Sequence, residues 1–349
     1  MTAKRLLPRL GLSLMVLVVG LEIGLRWLAP RLPPALGNDT VHSYSTRPGG
    51  MYFLDRPTGM RFCYPDDSRR ALANHHTWQH ETDERGLRNP PDSGSEVLLM
   101  GDSFIYGHGV EESDSLAGCL RRNHWRVYNL ARQGDGLSEQ FLLFRLYYDQ
   151  LKPKKILFFA FVNDFGDIAG LRSPEQLAHP PELDDAYVEA LRRRLTDPAQ
   201  RSTTGHWFDR FYTVRFVATL LELYARRSQP GGPYQAARWV ESLTVPEKFA
   251  GISGYYQQLF GRMAEICRRH GTELIVVDVD TASSHPEWQA CQTIFSRFLS
   301  QLCRRQQLRY VSLRSFFQGH PERVLEGDGH LNPVGNQDLA NFLILETNR

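Results

Sequence analysis

Several shortages in the 349-residue chain each exclude a class of function. The five cysteines, Cys63, Cys119, Cys267, Cys291 and Cys303, include no C-x-x-C pair, so the spacing of a structural zinc site is missing. Their odd number leaves at least one thiol unpaired within the chain; one or two disulfides are compatible with an oxidising compartment, but the spacing does not pair them. Net charge is only +2, and no zinc-finger, RRM or helix-turn-helix pattern accompanies the basic runs Arg192-Arg193-Arg194 and Arg304-Arg305. Those runs read as solvated helix faces, and no nucleic-acid partner is expected. There is no G-x-S-x-G motif, which argues against the nucleophile elbow of an α/β-hydrolase. No internal repeat occurs. No apolar run reaches the roughly 20 uninterrupted residues of a bilayer span.

The nearest approach to a span is at the start. Lys4, Arg5 and Arg9 precede an apolar run from Leu10 to Leu21, and Glu22 and Arg26 interrupt its continuation to Leu28. These two charges are four residues apart, so they can pair on one helix face and cost less in lipid. No clean small-residue cleavage site follows. Residues 1–30 therefore read as an uncleaved signal anchor or transmembrane helix, with its basic end inside. On that reading the membrane is a partner, and the chain is held at the inner membrane with its bulk periplasmic or otherwise extracytoplasmic. The alternative is an amphipathic helix packed on the domain.

What is present is an ordinary globular balance, 42% hydrophobic and 23% charged. Residues 31–94 read as a linker and a small, hairpin-containing segment, with turns at Arg56-Pro57-Thr58-Gly59 and Tyr64-Pro65-Asp66-Asp67. His75, His76 and His80 fall there without acidic or cysteine partners, so a surface or packing role is expected and no metal site. Residues 95–349 alternate in the α/β manner. Val97–Met100 is an all-apolar run, as in a parallel strand buried on both faces. Strands are also expected at 126–130, 155–161, 273–279 and 308–313. Helices are expected near 115–122, at 138–151 with Ser138 as N-cap, at 254–269, at 286–306, and at 333–345 with Asn332 as cap. Residues from about 171 to 244 interrupt the rhythm as a helical insertion. There Trp207, Phe211, Val214, Ala218 and Leu221 mark one apolar face. It suits a helix packed on the core; a cap over a cleft or a membrane-touching surface is the sharper reading.

The chemistry-bearing residues sit at expected strand ends. Gly101-Asp102-Ser103 follows the first strand, where a serine presents its hydroxyl and its N–H to a ligand. Asp328-Gly329-His330-Leu331-Asn332-Pro333 precedes the last helix. Residues two apart in extended chain point the same way, so Asp328 can fix the His330 tautomer and leave the other nitrogen to take a proton from Ser103. Gly134 follows a strand and lets a peptide N–H approach a ligand closely. Asn163, in Phe161-Val162-Asn163-Asp164, adds a side-chain amide. With the Ser103 N–H these form a set of oxyanion donors, each typically worth about 10²–10³ in rate.

These blocks resemble the SGNH hydrolase superfamily, also called GDSL-like, in which Ser, Gly, Asn and His follow successive strands of a flavodoxin-like fold. Ser103, Gly134, Asn163 and His330 match in chain order across about residues 97–345. The resemblance implies a three-layer α/β/α sandwich on a parallel sheet. It also implies a serine esterase in which Ser103 attacks an ester carbonyl, Gly134 and Asn163 hold the oxyanion, and Asp328 supports His330. No cofactor or metal is implied. Two features depart from the common pattern. The last block reads Asp-x-His, similar to exported or membrane-anchored members such as the alginate O-acetyltransferase-like group, and Ala160 or Phe161 stands where the third block often has glycine. By that analogy the substrate is an acyl ester, with acylated carbohydrate favoured. An O-acyltransferase to polysaccharide, a lipid esterase and a non-catalytic assembly module are the rivals.

Overall fold

The computed structural model describes residues 3–28, 52–55, 60–63, 67–71, 77–91, 93–196, 213, 239–282, 285–326 and 328–347. A helix spans Ala3–Leu28. Two antiparallel pairs follow: β1 (Tyr52–Asp55) with β2 (Met60–Cys63), and β3 (Asp67–Ala71) with β4 (Thr77–Glu81). The main sheet contains β5 (Val97–Met100), β6 (Val127–Asn129), β7 (Lys155–Ala160), β8 (Glu273–Asp278) and β9 (Arg309–Ser312). All four pairings are parallel, in the order β6-β5-β7-β8-β9. By appearance in the chain this is second-first-third-fourth-fifth, the flavodoxin-like order.

Alternation along the buried strands builds two cores, one on each face of the sheet. Ile156 and Phe158 of β7 and Leu274 and Val276 of β8 pack beneath the helices Leu137–Leu151, Pro246–His270 and Pro286–Gln306. Leu157, Phe159, Ile275 and Val277 face the opposite way, against Leu116–Arg122 and Pro333–Thr347. The result is the α/β/α sandwich expected from the sequence. In this strand order the crossovers leave β5 and β7 in opposite directions, so a crevice opens between their carboxyl ends.

The structure corrects several local expectations. Ser138 is not an N-cap. Its helix starts at Leu137 behind Gly136, and the Ser138 hydroxyl pairs with Tyr255 Oη at 2.6 Å. The helix expected from Gly254 begins at Pro246, whose fixed φ suits a first turn. His80 is buried, with Nδ1 2.7 Å from Tyr106 Oη, which is a packing role; His75 and His76 lie outside the described residues. So does the apolar face of Trp207, Phe211, Val214, Ala218 and Leu221. The insertion's described helices are Pro174–Ala178, Asp185–Thr196 and residues 239–244. Cys119, Cys267, Cys291 and Cys303 are buried free thiols.

Among the described residues no helix is long and apolar enough to cross a membrane. Glu22 is buried and accepts from both the N–H and the hydroxyl of Thr213, each at 2.9 Å. The helix Ala3–Leu28 therefore touches the insertion through a polar contact. Met15, Leu17, Ile23 and Trp27 stand exposed on it.

Candidate active site

Ser103 lies directly after the carboxyl end of β5. The turn needs Gly101, because a Cβ there would sit 2.7 Å from Ile105 Cγ1. Asp102 caps the short helix Ser103–Tyr106, accepting from Phe104 N at 3.1 Å. Gly107 and Gly109, with φ of +83° and +79°, turn the chain back beneath the serine. Ser103 is half-buried, and its Oγ is 2.7 Å from His330 Nε2.

His330 arrives from a loop stapled to the last helix. Leu325 N donates to His330 O at 2.7 Å, and Val324 bridges Leu331. Asn332 caps the helix, accepting from Gly335 N at 2.9 Å, while its amide donates to Glu322 O and Val324 O. Gly335 permits this close approach: a Cβ there would lie 2.0 Å from the Arg323 carbonyl oxygen. Gly329, at φ +90°, makes the turn that returns Asp328 to His330 Nδ1, and their side chains hydrogen-bond. Both side chains are 20% exposed. Burial alone would raise the Asp328 carboxyl, but the His330 hydrogen bond and charge, with His108 nearby, hold it below the usual carboxylate range. Ser103, His330 and Asp328 thus form one continuous hydrogen-bonded chain, in which a serine 225 positions or more from its two partners meets them beyond the carboxyl end of β5.

Gly134 occupies the turn after β6, at φ +67°. The turn is clamped by a buried ion pair on either side of it, Arg132 Nε to Asp135 Oδ2 at 2.7 Å. Asn129 ties it to the serine helix, donating to Ile105 O at 2.9 Å. Asn163 opens the helix Asn163–Leu171 after β7. Its amide nitrogen donates to Asp102 Oδ2 and to Asp167 Oδ2, both at 3.3 Å. The Asn163 donor is therefore beside the serine turn, but turned onto two carboxylates. Burial, then Asp102 and Asp167, push the adjacent Asp164 carboxyl well above the usual range.

Two features of the site were missed in the sequence. His108, buried between Gly107 and Gly109, packs against His330 with ring centroids 4.6 Å apart and the planes tilted by 47°. Its Nδ1 hydrogen-bonds the Gln133 amide. Burial, then the His330 charge, push its imidazole down to about 3, so it stays neutral. The glycines on both sides were the available signal. The second feature is a run of rings leaving the histidine: His330 to Phe104 at 4.9 Å, Phe104 to Phe161 at 5.2 Å, Phe161 to Trp288 at 6.1 Å, and Trp288 to Trp239 at 5.4 Å. Phe161, read as a departure in the third block, is thus part of a wall, and Trp239 brings the insertion to it. A cavity of about 500 Å³ flanks the loops that carry His108 and His330, lined by Val110, Glu111, Asp114, Leu325, Glu326 and Asn332 among others.

No protein-family model matches the chain, and no curated protein matches it. Among solved structures it is similar to that of TesA, at 13% identity and TM-score 0.42, covering 71% of this chain and 96% of that one. It is similar to LAE5, an alpha/beta hydrolase enzyme from the metagenome of Lake Arreo, at 13% identity and TM-score 0.40, covering 72% and 94%. It is also similar to a lipolytic protein of the G-D-S-L family from Desulfitobacterium hafniense DCB-2, at 12% identity and TM-score 0.37, covering 71% and 97%.

Proposed function

We propose that the protein is a serine esterase of SGNH type that works through an acyl-enzyme on Ser103. The hydrogen-bonded chain Asp328–His330–Ser103 carries this reading. Asp328 accepts from Nδ1–H and leaves Nε2 as the base, beside the serine hydroxyl. His330 takes the Ser103 proton as Oγ bonds to the ester carbonyl carbon. The tetrahedral intermediate then expels the alcohol, which takes that proton from His330. A second nucleophile repeats the sequence in reverse and releases the acid or a new ester. Oxyanion donors are the Ser103 and Gly134 N–H groups and Asn163, whose amide must leave a carboxylate to serve.

The substrate we favour is an acylated carbohydrate. The cavity beside the histidine loop, which Ser103 and His330 do not themselves line, combines the carboxylates of Glu111, Asp114 and Glu326, which suit hydroxyl groups, with the apolar Val110 and Leu325. Water as second nucleophile makes the protein an esterase, and a sugar hydroxyl makes it an O-acyltransferase. The test supplies p-nitrophenyl acetate with and without an oligosaccharide acceptor. Acetate release that depends on Ser103 is the expected result. An acetylated sugar product would assign transfer, and a wild type no faster than Ser103→Ala would overturn the proposal. A strong preference for long acyl chains would favour a lipid esterase instead.

A further inference from the structure

We infer that His108, Asp328 and His330 form a binding site for a divalent transition-metal ion of the zinc type, and that the bound ion switches the esterase site off. The inhibitory role rests on the function proposed above; the binding itself does not. A nitrogen from each imidazole and an oxygen of the carboxylate all lie within 4.8 Å of one another. Two imidazoles and one carboxylate are a donor set that zinc accepts, with a fourth position left for water. Tetrahedral ligands at about 2.0–2.2 Å from zinc stand roughly 3.4 Å apart. Any of these atoms standing further apart than that has to be drawn in by movement of the loop. The loop can supply that movement. Gly329 has open space around its Cβ position, and the Asp328 side chain is 20% exposed.

His108 is what distinguishes this cluster from an ordinary serine–histidine–carboxylate chain. The Gln133 amide nitrogen meets its Nδ1, which orients the ring; ligation through Nε2 needs that amide turned so that its oxygen accepts from Nδ1–H. The ring is already buried against His330, so little is lost in ordering it. Inhibition follows from bonds already described. Nδ1 of His330 is paired with Asp328 and Nε2 with Ser103. Whichever nitrogen the ion takes, it displaces one of these partners, and His330 no longer serves as base for Ser103.

The test is calorimetric titration of the full chain with zinc chloride, alongside His108→Gln, Asp328→Asn and Ser103→Ala. Wild type and Ser103→Ala should each bind one equivalent with micromolar affinity, because the serine is not a ligand. His108→Gln and Asp328→Asn should each bind at least tenfold more weakly. Asp328 is exposed, so its variant reports on the site even if the buried His108 variant folds poorly. Wild-type affinity in both variants, or no binding by the wild type, would overturn the site. Zinc should also block fluorophosphonate labelling of the wild type and not that of His108→Gln. Binding without protection would overturn the switch and keep the site. A wild type that never labels would count against the serine mechanism, while the titration still decides the metal.

Discussion

Asn163 is held in two hydrogen bonds that a catalytic donor has to give up at least in part. Its contribution therefore emerges only as charge develops on the substrate oxygen. Asn163→Ala is expected to lower kcat by about 10²–10³ with a small change in KM. A raised KM with kcat unchanged would point to ground-state binding instead. At this scale the sequence was informative about Ser103, Asp328 and His330, because residue type and strand-end position are local properties. It was silent on Asp167, His108 and the Asp102 contact, because these meet the site through tertiary packing that no spacing encodes. In the sequence Asp102 is only the middle of the Gly101-Asp102-Ser103 turn; in the fold it is a helix cap and an acceptor for Asn163.

Among the elements, the two turns that present Gly134 and His330 depend on different forces. The Arg132–Asp135 pair is nearly fully buried, so deleting one partner strands a charge. Arg132→Ala should destabilise the protein by about 3–5 kcal/mol, measured by urea denaturation. A loss under about 1 kcal/mol would mean that water reaches Asp135. The histidine loop depends on close backbone contact at Gly335. Its nearest neighbour is a backbone carbonyl, which has no rotamer to yield. Gly335→Ala should cost about 1–3 kcal/mol and lower activity further by displacing His330. Unaltered activity would show that the loop position is not critical. Most strands and helices were legible because long buried runs and proline or glycine boundaries are local signals. The start at Leu137 was misplaced because Ser138 is buried inside its helix, and the start at Pro246 because Gly254, usually a boundary residue, lies within its helix.

Across the whole molecule, the sheet buries Asp278 at the end of β8, among Tyr310 Oη at 2.6 Å and Gln292 Nε2 at 3.1 Å. Burial pushes this carboxyl up to about 6, although the hydrogen bonds of Ser296, Tyr310 and Gln292 oppose the rise. In the unfolded chain it titrates near about 3.9. Between those values the folded protein holds a proton that the unfolded chain has released. The group's contribution to stability is thus full below about pH 4 and is lost as pH rises through about 6. Asp278→Asn should flatten that dependence and stabilise the protein at pH 7 by about 1–3 kcal/mol. An unchanged pH slope in the variant would assign the effect elsewhere. The sandwich itself was legible from the alternating apolar runs. The strand order came only with the family resemblance and not from the runs themselves, because it depends on which crossover packs on which face.

The central claim is that Ser103 is a nucleophile activated by His330. Its most direct test is to treat the full chain with a fluorophosphonate and locate the added mass by peptide mapping. The expected result is one adduct, on Ser103, absent from Ser103→Ala and strongly slowed in His330→Ala. A well-folded wild type that gains no adduct, or gains it on another serine, would contradict the account.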